Sequence, residues 1–187
     1  MRLKYAKLIG LVGVCRASGL KEIYIDFTKS IHKIILIIGK NGSGKSTIED
    51  ALTPFPEQAS KYYLSGEFGY KEIAYIMEDG IEYICKIEYP VNKLGERLQT
   101  KAYLEKIVDG VSIELNPNGN IGSYKDVLYS EFYLDANYIA LSRLSVEDRG
   151  IVEKTPSERK KFVGNIISYI EVYNDICLLY TSPSPRD

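Results

Sequence analysis

The sequence predicts an α/β fold in which a strand–turn–helix core carries an attached antiparallel β-sheet and leads into a C-terminal helix. Three observations predict it. A short β-branched run, Ile34-Ile35-Leu36-Ile37-Ile38, precedes a Gly-rich turn and a helix pattern. Between Tyr70 and Val111, runs rich in Ile, Tyr and Val alternate with turn residues. Thr155-Pro156-Ser157-Glu158 then opens a segment with apolar residues at three-to-four-residue spacing.

The elements follow in order. Leu3 to Val14 alternates loosely and predicts a strand. Leu20 to Phe27 alternates clearly, with Ile23 and Ile25 on one face and Glu22, Tyr24 and Asp26 on the other. Ile31 to Ile38 predicts a strand buried on both faces. A helix starts near Lys45 and ends by Thr53, because Pro54 disfavours helical backbone in the residue before it. Tyr70–Met77, Ile81–Tyr89 and Leu98–Val108 predict strands, with hairpin turns at Glu78-Asp79-Gly80 and Asp109-Gly110. Asn116-Pro117-Asn118-Gly119-Asn120 predicts a loop and Tyr124 to Phe132 a helix. In the last segment Thr155 is the N-cap and Pro156 the first helical residue. Phe162, Val163, Ile166, Ile167, Ile170 and Tyr173 form its apolar stripe.

Composition narrows the function. With 45% apolar and 26% charged residues, the 187-residue chain has the make-up of one globular domain. Lys plus Arg number 24 against 25 Asp plus Glu, a net charge of -1, which excludes a polybasic nucleic-acid-binding tail but not a local basic face. Apolar runs are too short to span a membrane. Met1-Arg2-Leu3-Lys4-Tyr5 lacks the pattern of a secretory signal. Cys15, Cys85 and Cys177 are odd in number and far apart, which argues against a disulfide framework or zinc site and for a reducing, cytoplasmic compartment.

The stretch Gly39-Lys40-Asn41-Gly42-Ser43-Gly44-Lys45-Ser46 fits G-x-x-x-x-G-K-[ST]. With Gly at about 7% of residues, a chance match in a chain of this size has odds of roughly one in a hundred. Gly42 and Gly44 allow backbone conformations closed to other residues and a near approach to phosphate. Successive main-chain N–H groups make an anion cradle at a helix start. Lys45 supplies charge for the β- and γ-phosphates of ATP, and the Ser46 hydroxyl can ligate Mg²⁺. A metal-side carboxylate is harder to find. Asp26 ends a strand upstream of the loop, Glu78-Asp79 sits in a hairpin turn, and Asp135 follows a short interrupted run. None of these suits the role.

Residues 177–187, Cys-Leu-Leu-Tyr-Thr-Ser-Pro-Ser-Pro-Arg-Asp, differ in character from the rest. They back-translate in frame to a string that looks like the reverse complement of a transposase-type sequencing adapter. The expectation is that natural sequence runs over 1–176 as the N-terminal lobe of a longer protein, that 156–176 begins a longer helix, and that 177–187 is a non-native tail.

Taken together, the chain resembles the N-terminal half of an ATPase head of the SbcC type, the nuclease-associated branch of the structural-maintenance-of-chromosomes and ABC superfamily, to which phage recombination endonuclease large subunits belong. The opening strand, Arg16, Ile25-Asp26-Phe27 and the loop Gly39 to Thr47, with Asn41 and Thr47 in the family's places, carry the likeness. The strand-rich insert and Thr155-Pro156-Ser157-Glu158-Arg159, similar to the run that opens the family's coiled-coil helix, extend it. The resemblance implies a P-loop NTPase fold, with the N-terminal lobe of an ABC/SMC-type head in three layers. It implies ATP and Mg²⁺ as cofactors and an ATPase subunit of a DNA-repair and recombination nuclease complex. The implied partners are DNA, a second copy of the head and a nuclease subunit. It places Arg16 beside the nucleotide, Gly39, Lys40, Asn41, Gly42, Ser43, Gly44, Lys45, Ser46 and Thr47 around it, Lys45 in catalysis and Ser46 on the metal. Without the partner half, the fragment is expected to bind nucleotide weakly and not to turn it over. The family's Mg²⁺-sensing Gln has no counterpart between Tyr138 and Pro156, where Ser142 and Ser145 stand instead. RecF-like and overcoming-lysogenization-type ATPases share the opening and the loop, and a non-catalytic nucleotide-dependent DNA scaffold is a further alternative.

The remaining features have plainer readings. His32 is a surface residue at a strand start, Cys15 and Cys85 are small apolar residues, and the tyrosines pack in sheets. Arg159-Lys160-Lys161 is a solvated helix face.

Overall fold

Arg2–Ile9 forms β1, whose buried Ala6 and Leu8 alternate with partly exposed neighbours. The computed structural model describes residues 1–29, 35–57, 63–64, 66–133 and 155–160. Two compact units are present, Met1–Tyr133 and Leu134–Asp187.

In the first unit the strand ends at Gly10 (φ +77°), and Val12–Ser18 turns into a helix, α1. The strand expected to run on to Val14 is therefore corrected: a left-handed glycine breaks it, and a second, Gly19 (φ +74°), closes α1 by donating to the Cys15 carbonyl at 2.9 Å. β2 is Glu22–Asp26 and α2 is Lys45–Ala51, ending before Pro54 as expected. β3 (Gly69–Ile76), β4 (Glu82–Tyr89) and β5 (Lys101–Val108) occupy the predicted runs. The β5 turn is built from Asp109 (φ 52°) and Gly110 (φ 80°), both left-handed, and it leads into a short strand, β6 (Val111–Glu114), that the sequence reading lacked. α3 covers Ile121–Phe132; the Asn120 side chain caps it, accepting from the N–H groups of Gly122 at 2.7 Å and Ser123 at 3.2 Å.

The six strands form one sheet in the order β2-β1-β3-β4-β5-β6, and every pair is antiparallel. The antiparallel sheet is thus the centre of this unit rather than an attachment to an α/β core, since β1 and β2 belong to it. Register sets its two faces. Leu8, Lys71, Ile87 and Ala102 stand in one row across four strands, and Ala6, Ile73, Cys85 and Leu104 in the next. This face is buried. α1 and α2 cover one end of it through Leu8, Leu11, Val14 and Ala51, with Ile23 and Ile48 packed alongside. α3 covers the other, where the Phe132 ring meets Tyr83 edge-on at 4.6 Å. The opposite face carries the row Tyr24, Lys7, Glu72, Lys86 and Tyr103. Its Lys7–Glu22 and Lys86–Glu105 ion pairs suit a sheet with one face toward water.

The largest departure from expectation precedes α2. The strand predicted over Ile31 to Ile38 falls partly outside the described residues; within them, 35–40 has no regular secondary structure. Ile35, Leu36, Ile37 and Ile38 are exposed, Ile38 by 83%. A strand buried on both faces needs hydrogen-bonding neighbours and covering layers. Among the described residues the six strands pair only with one another, and residues 35–38 join none of them. The expected three-layer arrangement is accordingly a sheet with helices on one face among the described residues.

In the second unit the described part is a helical turn over 156–160. Its capping box is formed: the Thr155 N–H donates to Glu158 Oε2 at 2.8 Å, and the Glu158 N–H donates to Thr155 Oγ1 at 3.4 Å. The longer helix expected over 156–176, the adapter-like tail and His32 lie outside the described residues. Among the described residues no helix is long and apolar enough to cross a membrane.

Candidate phosphate-binding loop

Residues 39–44 reverse the chain in front of α2. Ser43 N–H donates to the Lys40 carbonyl at 3.2 Å, and Gly42 (φ +77°) and Gly44 (φ +88°) take the left-handed backbone that the turn requires. Gly44 is the N-cap of α2, and its carbonyl accepts from Ile48 N–H at 2.9 Å. No side chain caps α2, which leaves its first-turn N–H groups without an intrahelical or side-chain acceptor. Gly44 is needed for space as well as conformation, and Gly39 sits in a tight place without needing the left-handed backbone. A Cβ on Gly44 would stand 2.8 Å from Val14 Cγ2, and one on Gly39 would stand 2.7 Å from Ser43 Oγ.

Lys45 opens α2, and its side chain curls back across the turn. Its Nζ donates to the carbonyls of Gly39 at 2.9 Å and Lys40 at 2.8 Å. One ammonium group therefore sits against the loop, held by two neutral acceptors that a polyphosphate oxygen can displace through stronger charge-assisted bonds. Lys40, Asn41, Gly42 and Ser46 are exposed, while Ser43, Gly44, Lys45 and Thr47 are half-buried. The left-handed glycines, the uncapped helix start and the ammonium fit a polyphosphate. The Ser46 hydroxyl, exposed in the first turn, fits a place on its magnesium.

α1 packs on α2 at the distance only a glycine allows. A Cβ on Gly13 would fall 2.3 Å from Thr47 Oγ1. This contact brings the helix bearing Arg16 against the helix that follows the loop. Arg16 lies exposed in the last turn of α1, and its side chain makes no hydrogen bond or ion pair among the described residues. Cys15, beside it, is half-buried; burial, with Glu67 nearby, pushes its thiol pKa above the ordinary value.

The carboxylates weighed for the metal side serve turns. Asp26 Oδ1 accepts from the Thr28 N–H at 2.9 Å and hydroxyl at 2.5 Å, bonds that hold its carboxyl below the ordinary range. Asp79 Oδ1 accepts from Ile81 N–H at 3.1 Å within the β3–β4 hairpin. Asp135, Ser142 and Ser145 lie outside the described residues. Cys85 is buried on β4, where desolvation pushes its thiol up to about 12. Among the described residues no three His, Cys, Asp or Glu side chains gather as a metal-holding group.

Sequence reasoning missed α1 and its Gly13–Thr47 contact. It also missed a buried charge, Lys71, paired with Glu57 in the segment after α2. A lysine in an alternating strand reads as outward-facing; only its register beside Leu8 and Ile87 reveals otherwise.

No family model matches the chain. Over 134 residues, 70% of its length, it is 29% identical to the chromosome partition protein Smc of Mycoplasma pneumoniae, and it spans 12% of that protein's length. The chain thus has a distant likeness to a structural-maintenance-of-chromosomes protein.

Proposed function

We propose that this chain is the nucleotide-binding N-terminal part of an SbcC-type ATPase head, and that residues 39–47 take the phosphates of ATP with Mg²⁺. One observation carries the reading: the glycine turn, the uncapped start of α2 and the Lys45 ammonium occupy a single short loop. In this reading Lys45 leaves the carbonyls of Gly39 and Lys40 to hold phosphate oxygens, and the main-chain N–H groups that open α2 orient them. Ser46 offers its hydroxyl to the metal, and Thr47 keeps α1, with Arg16, against the loop. In the whole protein the head acts with a second head, with DNA and with a nuclease subunit in the cytoplasm, and hydrolysis resets a closed dimer. Such a cycle needs only that ATP favour the closed state over the open one. The likeness to Smc supports the branch of ATPases, and the Thr155–Arg159 run supports the SbcC type within it.

Isothermal calorimetry with Mg-ATP on the full-length, assembled protein tests the reading. Lys45→Ala removes a charge-assisted interaction worth about 1.5–3 kcal/mol, so Kd should rise roughly 10- to 100-fold. Uptake that is absent in the wild type, or equal in the variant, refutes the assignment.

A further inference from the structure

The segment that leaves the phosphate-loop helix, residues 52–57, is held by four side chains from three other elements. From β3, the Tyr75 hydroxyl donates to the Leu52 carbonyl at 3.4 Å, and Lys71 Nζ donates to the Phe55 carbonyl at 2.8 Å. Lys71 also pairs with Glu57 Oε1 at 2.5 Å. From β4, the Tyr89 hydroxyl donates to Glu57 Oε2 at 2.7 Å and accepts from the Glu57 N–H at 2.9 Å. From α3, the Tyr124 hydroxyl donates to the Pro54 carbonyl at 2.6 Å. Lys71 is wholly buried and the Glu57 side chain nearly so. Tyr63 stacks on Tyr89 with ring centroids 4.0 Å apart.

Three carbonyls of this irregular segment, those of Leu52, Pro54 and Phe55, are bound from the sheet and α3, which fixes it in place because freeing them would be costly. The helix before it inherits that constraint. Leu52 N–H still donates to Ile48 and Glu49 in the last turn of α2, while its carbonyl is bound from β3. α2 is therefore anchored at its C-terminal end and ends in a glycine turn at the other. We infer that Lys71, Glu57 and Tyr124 are positioning residues: they set where α2 presents Lys45 and Ser46, without touching a nucleotide themselves. That the anchored helix serves a nucleotide rests on the function proposed above; the anchoring itself does not.

Hydrogen–deuterium exchange on the full 187-residue chain, without nucleotide, tests the anchor for Lys71→Met and Tyr124→Phe. The expected result is exchange at the amides of residues 48–52 at least 10-fold faster, with β4 and β5 amides unchanged. Protection lost equally across the sheet, or not lost at all, overturns the inference. Lys71→Met leaves the Glu57 carboxylate buried without its cation; where that variant does not fold, Tyr124→Phe, which deletes one hydroxyl, decides alone. A second arm measures Mg-ATP affinity of the full-length assembly. A Kd raised at least fivefold by Tyr124→Phe supports positioning, and an unchanged Kd overturns it. A wild type that takes up no Mg-ATP refutes the phosphate-loop reading, while the exchange result still decides the anchor.

Discussion

Gly13→Ala is the sharpest test of how α1 meets the phosphate-loop helix. In isolation the change favours a helix by about 1 kcal/mol, since alanine loses less backbone entropy than glycine. Here the new Cβ would stand 2.3 Å from Thr47 Oγ1 and 3.0 Å from both Thr47 Cβ and Cγ2. Thr47 is β-branched and held to few χ1 rotamers, so relief of the contact takes a rotamer change or a shift between the helices. Forcing a methyl into a packed contact costs about 1–3 kcal/mol, which leaves a net loss of about 0–2 kcal/mol. Thr47→Ala removes the two γ atoms and keeps Cβ. In that background Gly13→Ala should be neutral or stabilising, with a coupling between the two sites of about 1 kcal/mol or more. Urea unfolding of the wild type, both single variants and the double variant measures the cycle. Additive effects within about 0.3 kcal/mol would refute the claim that a missing side chain sets the helix separation.

Two further perturbations address the sheet and its covering helix. Asn120→Ala removes the side-chain acceptor for the Gly122 and Ser123 N–H groups and should cost about 1 kcal/mol in urea unfolding, with Asn120→Asp close to neutral. Glu131 accepts from Lys106 at 2.8 Å and from the Tyr83 hydroxyl at 2.6 Å, and these bonds hold its carboxyl below the ordinary 4.5. A lowered folded value means stability present above pH 4.5 and lost as the pH falls through that lower value. Lys106 is raised by the same partner, so its share is present below 10.5 and lost as the pH climbs beyond it. Glu131→Gln should therefore cost about 0.5–1 kcal/mol near pH 7, with a difference from wild type that shrinks in acid. An equal difference at pH 7 and pH 3 would contradict the pairing.

Local chemistry made much of this fold readable. β3, β4 and β5 alternate strongly and are punctuated by Glu78-Asp79-Gly80 and Asp109-Gly110, so period and turn agree. Pro54 marked the end of α2, and Thr155 to Glu158 formed the capping box that their spacing implies. α3 begins at Ile121, three residues before the expected Tyr124, because the cap is Asn120 and the loop residues before it masked the signal. β6 has four exposed residues and too little pattern to register. α1 was misread because Val12 and Val14 continue the alternation of β1; Gly10 and the packing against Thr47 override it. Residues 35–38, the described part of the Ile34 to Ile38 run, misled for the opposite reason. Their composition suits a covered strand, but covering layers and pairing partners are tertiary facts that so short a run cannot encode. The loop was the most legible part of the candidate site, since conformation and motif coincide at Gly42 and Gly44. Lys71 and Glu57 were invisible, being brought together by register rather than by spacing.

The bare run Ile35-Leu36-Ile37-Ile38 also has a colloidal consequence. Neighbouring exposed aliphatic residues with no internal charge offer a template for strand addition between molecules. Lys33 and Lys40 flank it in sequence, the arrangement by which like ends repel. A net charge of -1 adds little long-range repulsion. In concentrated solution this chain should therefore self-associate through that stretch first, and a lysine at Leu36, exposed by 79%, should keep it dispersed without disturbing the sheet.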